Sequence, residues 1–235
     1  MAKPIPLNER IIFALDVNSK DEAERWLDRL GDQVRFYKVG LQLFLAGGFP
    51  MIDMILQRGH KVMVDLKFFD IPETVALAVR ELKNKGATFI TVHGNDPILR
   101  AAVGERNGAK ILAVTVLTSF DESDMREMGF TGTVEDLVYH RARKALALGC
   151  DGVISSGLEV PHLRDELGDK FLIVTPGIRP GTNDVIPDDD QKRIASAHAA
   201  IRNGADYVVV GRPIRNAKDP ISVVKALQDE IAAAL

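Results

Sequence analysis

Lys38 and the run Asp65-Leu66-Lys67-Phe68-Phe69-Asp70 set two cations and two anions on adjoining apolar segments. Side chains alternate along a strand, so Asp65 and Lys67 share one face while Leu66 points away. Asp70 lies just beyond, before a helix opened by Pro72, where the missing N–H costs nothing. Lys38 ends the neighbouring segment, so the four charges can interleave. Gathering them is costly unless each is paired. The plainer reading is a structural salt-bridge network. The chemical reading is a preorganised charge array that stabilises developing charge and moves a proton. Such an array needs neither a metal nor an organic cofactor.

Two further clusters suit an anion. Thr175-Pro176-Gly177-Ile178-Arg179-Pro180-Gly181 and Val210-Gly211-Arg212-Pro213-Ile214 each combine glycine with arginine. Glycine lets backbone N–H groups approach an anion closely, and arginine gives forked, charge-assisted hydrogen bonds to phosphate. A phosphorylated substrate is expected. His93 reads as a hydrogen-bonded structural imidazole, because no nucleophile with a partner carboxylate stands near it. Ser155, Ser156 and Cys150 read as packing or loop residues, lacking any G-x-S-x-G context. Asp188, Asp189 and Asp190 read as a solvated acidic turn without metal-loop spacing.

The elements that must hold these groups are short apolar runs alternating with amphipathic segments. The runs are Ile11–Leu15, Arg35–Val39, Lys61–Leu66, Thr88–Val92, Ile111–Val116, Gly152–Ser155, Phe171–Val174 and Tyr207–Val210. Nearly continuous Val/Ile runs suit parallel strands covered on both faces. Between them, Val75, Val79 and Leu82 form one helical stripe; Val134, Leu137, Val138, Ala145 and Leu148 form another; Ile221, Val224, Leu227 and Ile231 a third. Gly59, Gly86, Gly149 and Gly204 stand where helices should stop. Strict alternation over eight units predicts a (β/α)8 TIM barrel spanning 1–235 as a single domain. An open Rossmann sheet is disfavoured, since no G-x-G-x-x-G follows the first run. Asp16, Lys38, Asp65 with Lys67, His93, Thr118, Ser155, Gly177 and Gly211 each fall at the C-terminal end of a run. In a barrel those ends form one face, where active sites are built.

Composition narrows the function classes. The chain has 235 residues, of which 46% are hydrophobic, close to the roughly 250 usual for this barrel. Lys+Arg of 30 against Asp+Glu of 33 gives a net charge of −3, so no basic field invites nucleic acid. One cysteine forbids an internal disulfide, and no zinc-ligand spacing occurs. No export signal and no apolar run of about 20 residues is present, which predicts a cytoplasmic protein without membrane partners.

Six segments carry a specific resemblance: Ala14-Leu15-Asp16, Tyr37-Lys38-Val39-Gly40, Asp65 to Thr74 (DLKFFDIPET), Val114 to Ser119 (VTVLTS), Val174 to Pro180 (VTPGIRP) and Val209 to Ile214 (VVGRPI). Together they resemble the bacterial-type orotidine 5′-phosphate decarboxylases, in the family's order and over nearly the whole chain. The resemblance implies decarboxylation of a pyrimidine nucleotide without metal or cofactor. Lys67 would be the proton donor, Asp65 the neighbour of the substrate carboxylate, and Asp16 and Lys38 the partners of the ribose hydroxyls, with Lys38 also in the array. Thr118 would contact the ring. Arg179, Gln191, Gly211 and Arg212 would hold the phosphate, with the loop after Arg179 closing over it. Asp70, Ile71 and Thr74 would reach the partner subunit's site in a homodimer. One alternative is a magnesium-dependent sugar-phosphate decarboxylase or aldolase of the same barrel superfamily. Those enzymes carry Glu at the second strand end, where Lys38 here repels a divalent cation. The other is a non-catalytic nucleotide-binding barrel, against which the costly charge array argues.

Overall fold

Residues whose side chains are apolar on both faces can be buried on both faces, and all eight apolar runs form strands. The computed structural model describes residues 3–181 and 191–235. Its strands are β1 (Ile11–Ala14), β2 (Phe36–Gly40), β3 (Lys61–Phe68), β4 (Phe89–Val92), β5 (Lys110–Val114), β6 (Gly152–Ile154), β7 (Leu172–Thr175) and β8 (Tyr207–Val210). Each pairs in parallel with its sequence neighbour, and β8 closes on β1 through Ile11↔Val208 and Phe13↔Val210. The expected (β/α)8 barrel is therefore present, with helices between the strands.

Strand bounds differ from the apolar runs by a residue or two. The largest differences are at β3 and β5. β3 runs on through Lys67 to Phe68, which pairs with Val92 of β4. Its ladder with β4 shifts register between Val64 and Phe68. β5 stops at Val114, and Thr115 instead bonds the Ile154 carbonyl through both its N–H and its hydroxyl.

The pleat separates two cores. Ile12, Phe36, Met63, Phe89, Leu112, Ile154, Leu172, Tyr207 and Val209 face the barrel axis, while Ile11, Phe13, Tyr37, Val62, Val64, Ile90 and Val208 pack under the helices. Phe36, Phe89 and Tyr207 meet with ring centroids 5.0–5.7 Å apart and fill the interior. The barrel is thus a packed core with a mouth, not a pore. Gly152 is required by packing: a Cβ there would lie 2.3 Å from the Leu172 carbonyl oxygen on β7.

The helix signals act as expected. Pro72 stands in the first turn of the helix Pro72–Glu81, whose Val75 and Val79 are buried. Gly59, Gly86, Gly149 and Gly204 all take positive φ. Thr133 and Asp136 form a capping box at the start of Val134–Ala147, satisfying two otherwise orphaned N–H groups. No helix among the described residues is long and apolar enough to cross a membrane.

Candidate active site

The C-terminal ends of the strands surround a cavity of about 630 Å³. Its wall is apolar where Met63, Val114, Val116, Ile154 and Val209 contribute. Asp16, Lys38, Asp65 and Lys67 enter it, and Thr118, Gly177, Arg179, Gln191, Gly211 and Arg212 line it as well.

The charges form a chain. Lys38 Nζ lies 3.0 Å from Asp16 Oδ1 and 3.4 Å from Asp65 Oδ2. Lys67 Nζ donates to both Asp65 oxygens at 3.0 Å. The Lys38 and Asp65 side chains are only 11% and 9% exposed, whereas Lys67 is 38% exposed and faces the cavity. Burial by itself would push the Asp65 carboxyl up, but the Lys38 and Lys67 charges and the hydrogen bonds from Lys67 and Thr91 outweigh it and hold it below 3.8. Burial likewise opposes the Lys38 charge, and Asp65 and Asp16 overcome it, leaving the ammonium above its ordinary 10.5. Both groups therefore stay ionised across the neutral range.

The expected membership of this array needs one correction. Asp70 does not join it within the chain: its carboxylate is exposed and accepts from the Ile71 N–H at 2.7 Å. Asp16 is the second anion instead. The cause is local backbone geometry. Lys67 takes φ of +47°, beside the register shift in β3, and the chain turns outward after Phe68. That left-handed conformation costs a non-glycine residue about 1–3 kcal/mol and persists only where neighbours enforce it. Ile71 and Thr74 are likewise exposed and away from the cavity, and Phe69 and Ile71 are 68% and 66% exposed.

Two residues that the sequence reading passed over hold the array in place. Thr91, fully buried on β4, accepts from the Lys67 N–H at 3.0 Å and donates to Asp65 Oδ1 at 2.9 Å. A lone hydroxyl at an inward position of an apolar strand is the signal that could have found it. Arg215 lines the cavity and donates to the Asp16 carbonyl at 2.6 Å. Thr91→Val keeps the shape and removes both bonds. The variant is expected to lose about 1–3 kcal/mol at neutral pH in urea unfolding. Asp65 has a depressed folded value, so its contribution is present above 3.8 and fades as pH falls through that lower value. The gap to the parent should narrow in acid; an unchanged midpoint at pH 7 would remove Thr91 from the network.

Elsewhere on the cavity wall Thr118 Oγ1 hydrogen-bonds Gln191 Oε1. Arg179 is 8% exposed, with Nη1 donating to the Ile178 carbonyl at 2.8 Å. Gly177 has φ of +75°, and a Cβ there would lie 2.8 Å from the Arg193 carbonyl oxygen, so only glycine fits. Arg212 opens a short helix, Arg212–Arg215, directly after β8. The loop expected to close over the phosphate, and Asp188 to Asp190, lie outside the described residues.

His93 departs from expectation. Its Nδ1 is buried without a hydrogen-bond partner among the described residues, and its ring lies 5.4 Å from Phe69. Burial, then the Arg141 and Lys67 charges, push it below its ordinary value, so it is neutral at pH 7. Ser155 and Ser156 are buried as expected, and burial pushes the Cys150 thiol up to about 12, which makes it inert. No group of three or more His, Cys, Asp or Glu side chains among the described residues is placed to hold a metal ion.

A closed (β/α)8 barrel whose strand ends bring a lysine–carboxylate chain and two glycine–arginine loops to one cavity is the framework of an enzyme. Residues 9–227 match the model of the orotidine 5′-phosphate decarboxylase / HUMPS family. The chain is 54% identical over 230 residues to the orotidine 5′-phosphate decarboxylase of Methylococcus capsulatus, covering 97% of this chain and 94% of that one. It is 48% identical over 237 residues to that of Rhodopseudomonas palustris, covering all of both. The crystal structure of orotidine 5′-phosphate decarboxylase from Lactobacillus acidophilus superposes with a TM-score of 0.82 at 36% identity, over 95% of this chain and 99% of that one. The protein belongs to the orotidine 5′-phosphate decarboxylase / HUMPS family.

Proposed function

We propose that the protein decarboxylates orotidine 5′-monophosphate to uridine 5′-monophosphate in pyrimidine biosynthesis, with Lys67 as the proton donor. The observation that carries this reading is the Lys67 ammonium, held by both Asp65 oxygens at 3.0 Å yet open to the cavity. The C6–carboxylate bond breaks, CO2 departs, and the electron pair stays on C6. No π system accepts that pair directly, so a positive charge beside C6 lowers the barrier and then supplies the proton. Asp65 lies beside the departing carboxylate and disfavours the bound ground state. Asp16 and Lys38 bind the ribose hydroxyls, Thr118 the ring, and Arg179, Gln191, Gly211 and Arg212 the phosphate. The apolar wall of Met63, Val114 and Ile154 excludes water from the reacting ring.

The family name spans two chemistries, and the relatives at 48–54% identity are named as decarboxylases of the orotidine compound. Lys38, 3.0 Å from Asp16 and 3.4 Å from Asp65, puts a fixed ammonium where a divalent cation would need those carboxylates. The test is the fall in ultraviolet absorbance when EDTA-treated protein meets orotidine 5′-monophosphate. Rapid loss is expected. No change, with magnesium-dependent turnover of a sugar phosphate instead, would assign the other chemistry.

The active unit in this reading is a cytoplasmic homodimer of single-domain subunits, each lending Asp70, Ile71 and Thr74 to its partner's site. The exposed Phe69 and Ile71 flanking Asp70 support it, since apolar side chains beside a site are suited to burial by a second copy. Mixing a Lys67→Ala with an Asp70→Ala protein should restore about a quarter of the parental activity. Random exchange makes half the dimers mixed, each with one complete site. Continued inactivity after proven subunit exchange would confine each site to one subunit.

A further inference from the structure

The mechanism above makes no use of Arg193, a buried guanidinium two residues after Gln191. Its Nη1 donates to Glu159 Oε1 at 2.5 Å. Its Nη2 donates to the Val116 carbonyl at 3.0 Å and the Leu117 carbonyl at 2.8 Å. The Arg193 and Glu159 side chains are 9% and 6% exposed, and the second Glu159 oxygen accepts from Ser155 Oγ at 3.3 Å. Apolar pairs of similar volume often stabilise a fold as well as a buried ion pair does, so stability by itself is a weak reason for this one.

The backbone around Arg193 supplies a further reason. On one side the Lys192 and Arg193 N–H groups both donate to the Thr118 carbonyl, at 3.0 and 3.1 Å. On the other, Ala195 bridges Ile178: its N–H donates to the Gly177 carbonyl at 3.2 Å, and its carbonyl accepts from the Arg179 N–H at 2.9 Å. Residues 192–195 therefore form a strap. It joins the segment after β5, which carries Thr118, to the segment after β7, which carries Arg179. Gln191 sits at the head of the strap with its side chain on Thr118. The guanidinium fork is the only side-chain group among the described residues that ties this strap at once to Val116, Leu117 and Glu159.

We propose that Arg193, braced by Glu159, is a positioning residue that locks the ring-side wall of the cavity to its phosphate-side cradle. Phosphate contacts lie far from the reacting carbon, and their binding energy lowers the barrier only if the protein carries it there as geometry. This inference rests on the proposed decarboxylase reading. A lysine at 193 keeps the charge toward Glu159, but a point charge cannot span three acceptors as a planar fork does.

The experiment compares Arg193→Lys and Glu159→Gln with the parent on two substrates: orotidine 5′-monophosphate, and orotidine, the same compound without phosphate. Thermal melts accompany each. For Arg193→Lys, kcat/KM on the nucleotide should fall about 100-fold while that on orotidine changes by less than about threefold, the size expected from a misplacement near 1 Å. Glu159→Gln should shift the ratio in the same direction. Equal losses on both substrates, or no loss on either, would overturn the proposal with the decarboxylase reading intact. Failure of both variants to fold would also overturn it, assigning the pair to stability. An inactive parent would overturn the underlying reading and this inference with it.

Discussion

Lys67→Ala is expected to bind the nucleotide and turn it over at least about 10⁴-fold more slowly, because in the proposed mechanism it removes the proton donor and the charge beside C6 together. Those roles account for about 10²–10⁴ and 10²–10³ respectively in other enzymes, and the proposed mechanism puts both on one ammonium. Binding should persist, since the change leaves the glycine–arginine loops untouched and Lys38 Nζ still 3.0 Å from Asp16 Oδ1. The alanine relieves the strained φ of +47° only if the backbone moves, and the Thr91 hydroxyl still holds the residue 67 N–H. The loss should therefore be chemical rather than a failure to fold. Isothermal titration with the product nucleotide and single-turnover absorbance measure the two sides. Turnover within tenfold of the parent would take Lys67 out of the proton-donor role.

Arg212→Ala should reduce kcat/KM by about 10²–10⁴, which is two charge-assisted hydrogen bonds at about 1.5–3 kcal/mol each. The residue opens the short helix after β8 and lines the same cavity as Lys67. Loops after the seventh and eighth strands are the usual phosphate site of this barrel. The variant keeps the whole charge array, so the chemistry itself should survive on a substrate without phosphate. Added phosphite should stimulate the parent on orotidine and do so weakly in the variant. Added guanidinium should restore part of the variant's activity on the nucleotide. An unchanged kcat/KM on the nucleotide would move the phosphate away from Arg212.

These effects bear on different links of one chain of cause. The array is costly to assemble: Asp65 and Lys38 are buried, and each stays charged because the other, joined by Lys67 at Asp65 and by Asp16 at Lys38, outweighs burial. That cost is tolerable in a barrel whose packed interior and closed ladder supply the stability elsewhere. The mouth can then hold groups in arrangements that a fold chosen for stability alone would avoid. Lys67 in the left-handed region is one such arrangement, and the unpartnered His93 Nδ1 is another.

Much of this protein could be read in one dimension. Continuous Val/Ile runs, glycine stops and helical stripes are local signals with fixed periods, and they located every strand to within a residue or two. Alternation of those elements led to the closed barrel, and the barrel turned scattered polar strand ends into a single face. Asp16, Lys38, Asp65, Lys67, Thr118, Arg179, Gln191, Gly211 and Arg212 do meet at one cavity. Which of them touch was decided only in three dimensions. Lys38 takes Asp16, 22 positions away, and not Asp70, because a register shift and one left-handed residue turn the chain outward after Phe68. The partners of Thr91 and Arg193 could not be read from the sequence for a related reason. Those partners lie 24 to 77 positions distant, and a hydrogen bond across that span leaves no periodicity. Sequence period determines which face a side chain is on; the closure of the barrel determines which other side chains share that face and how near they come.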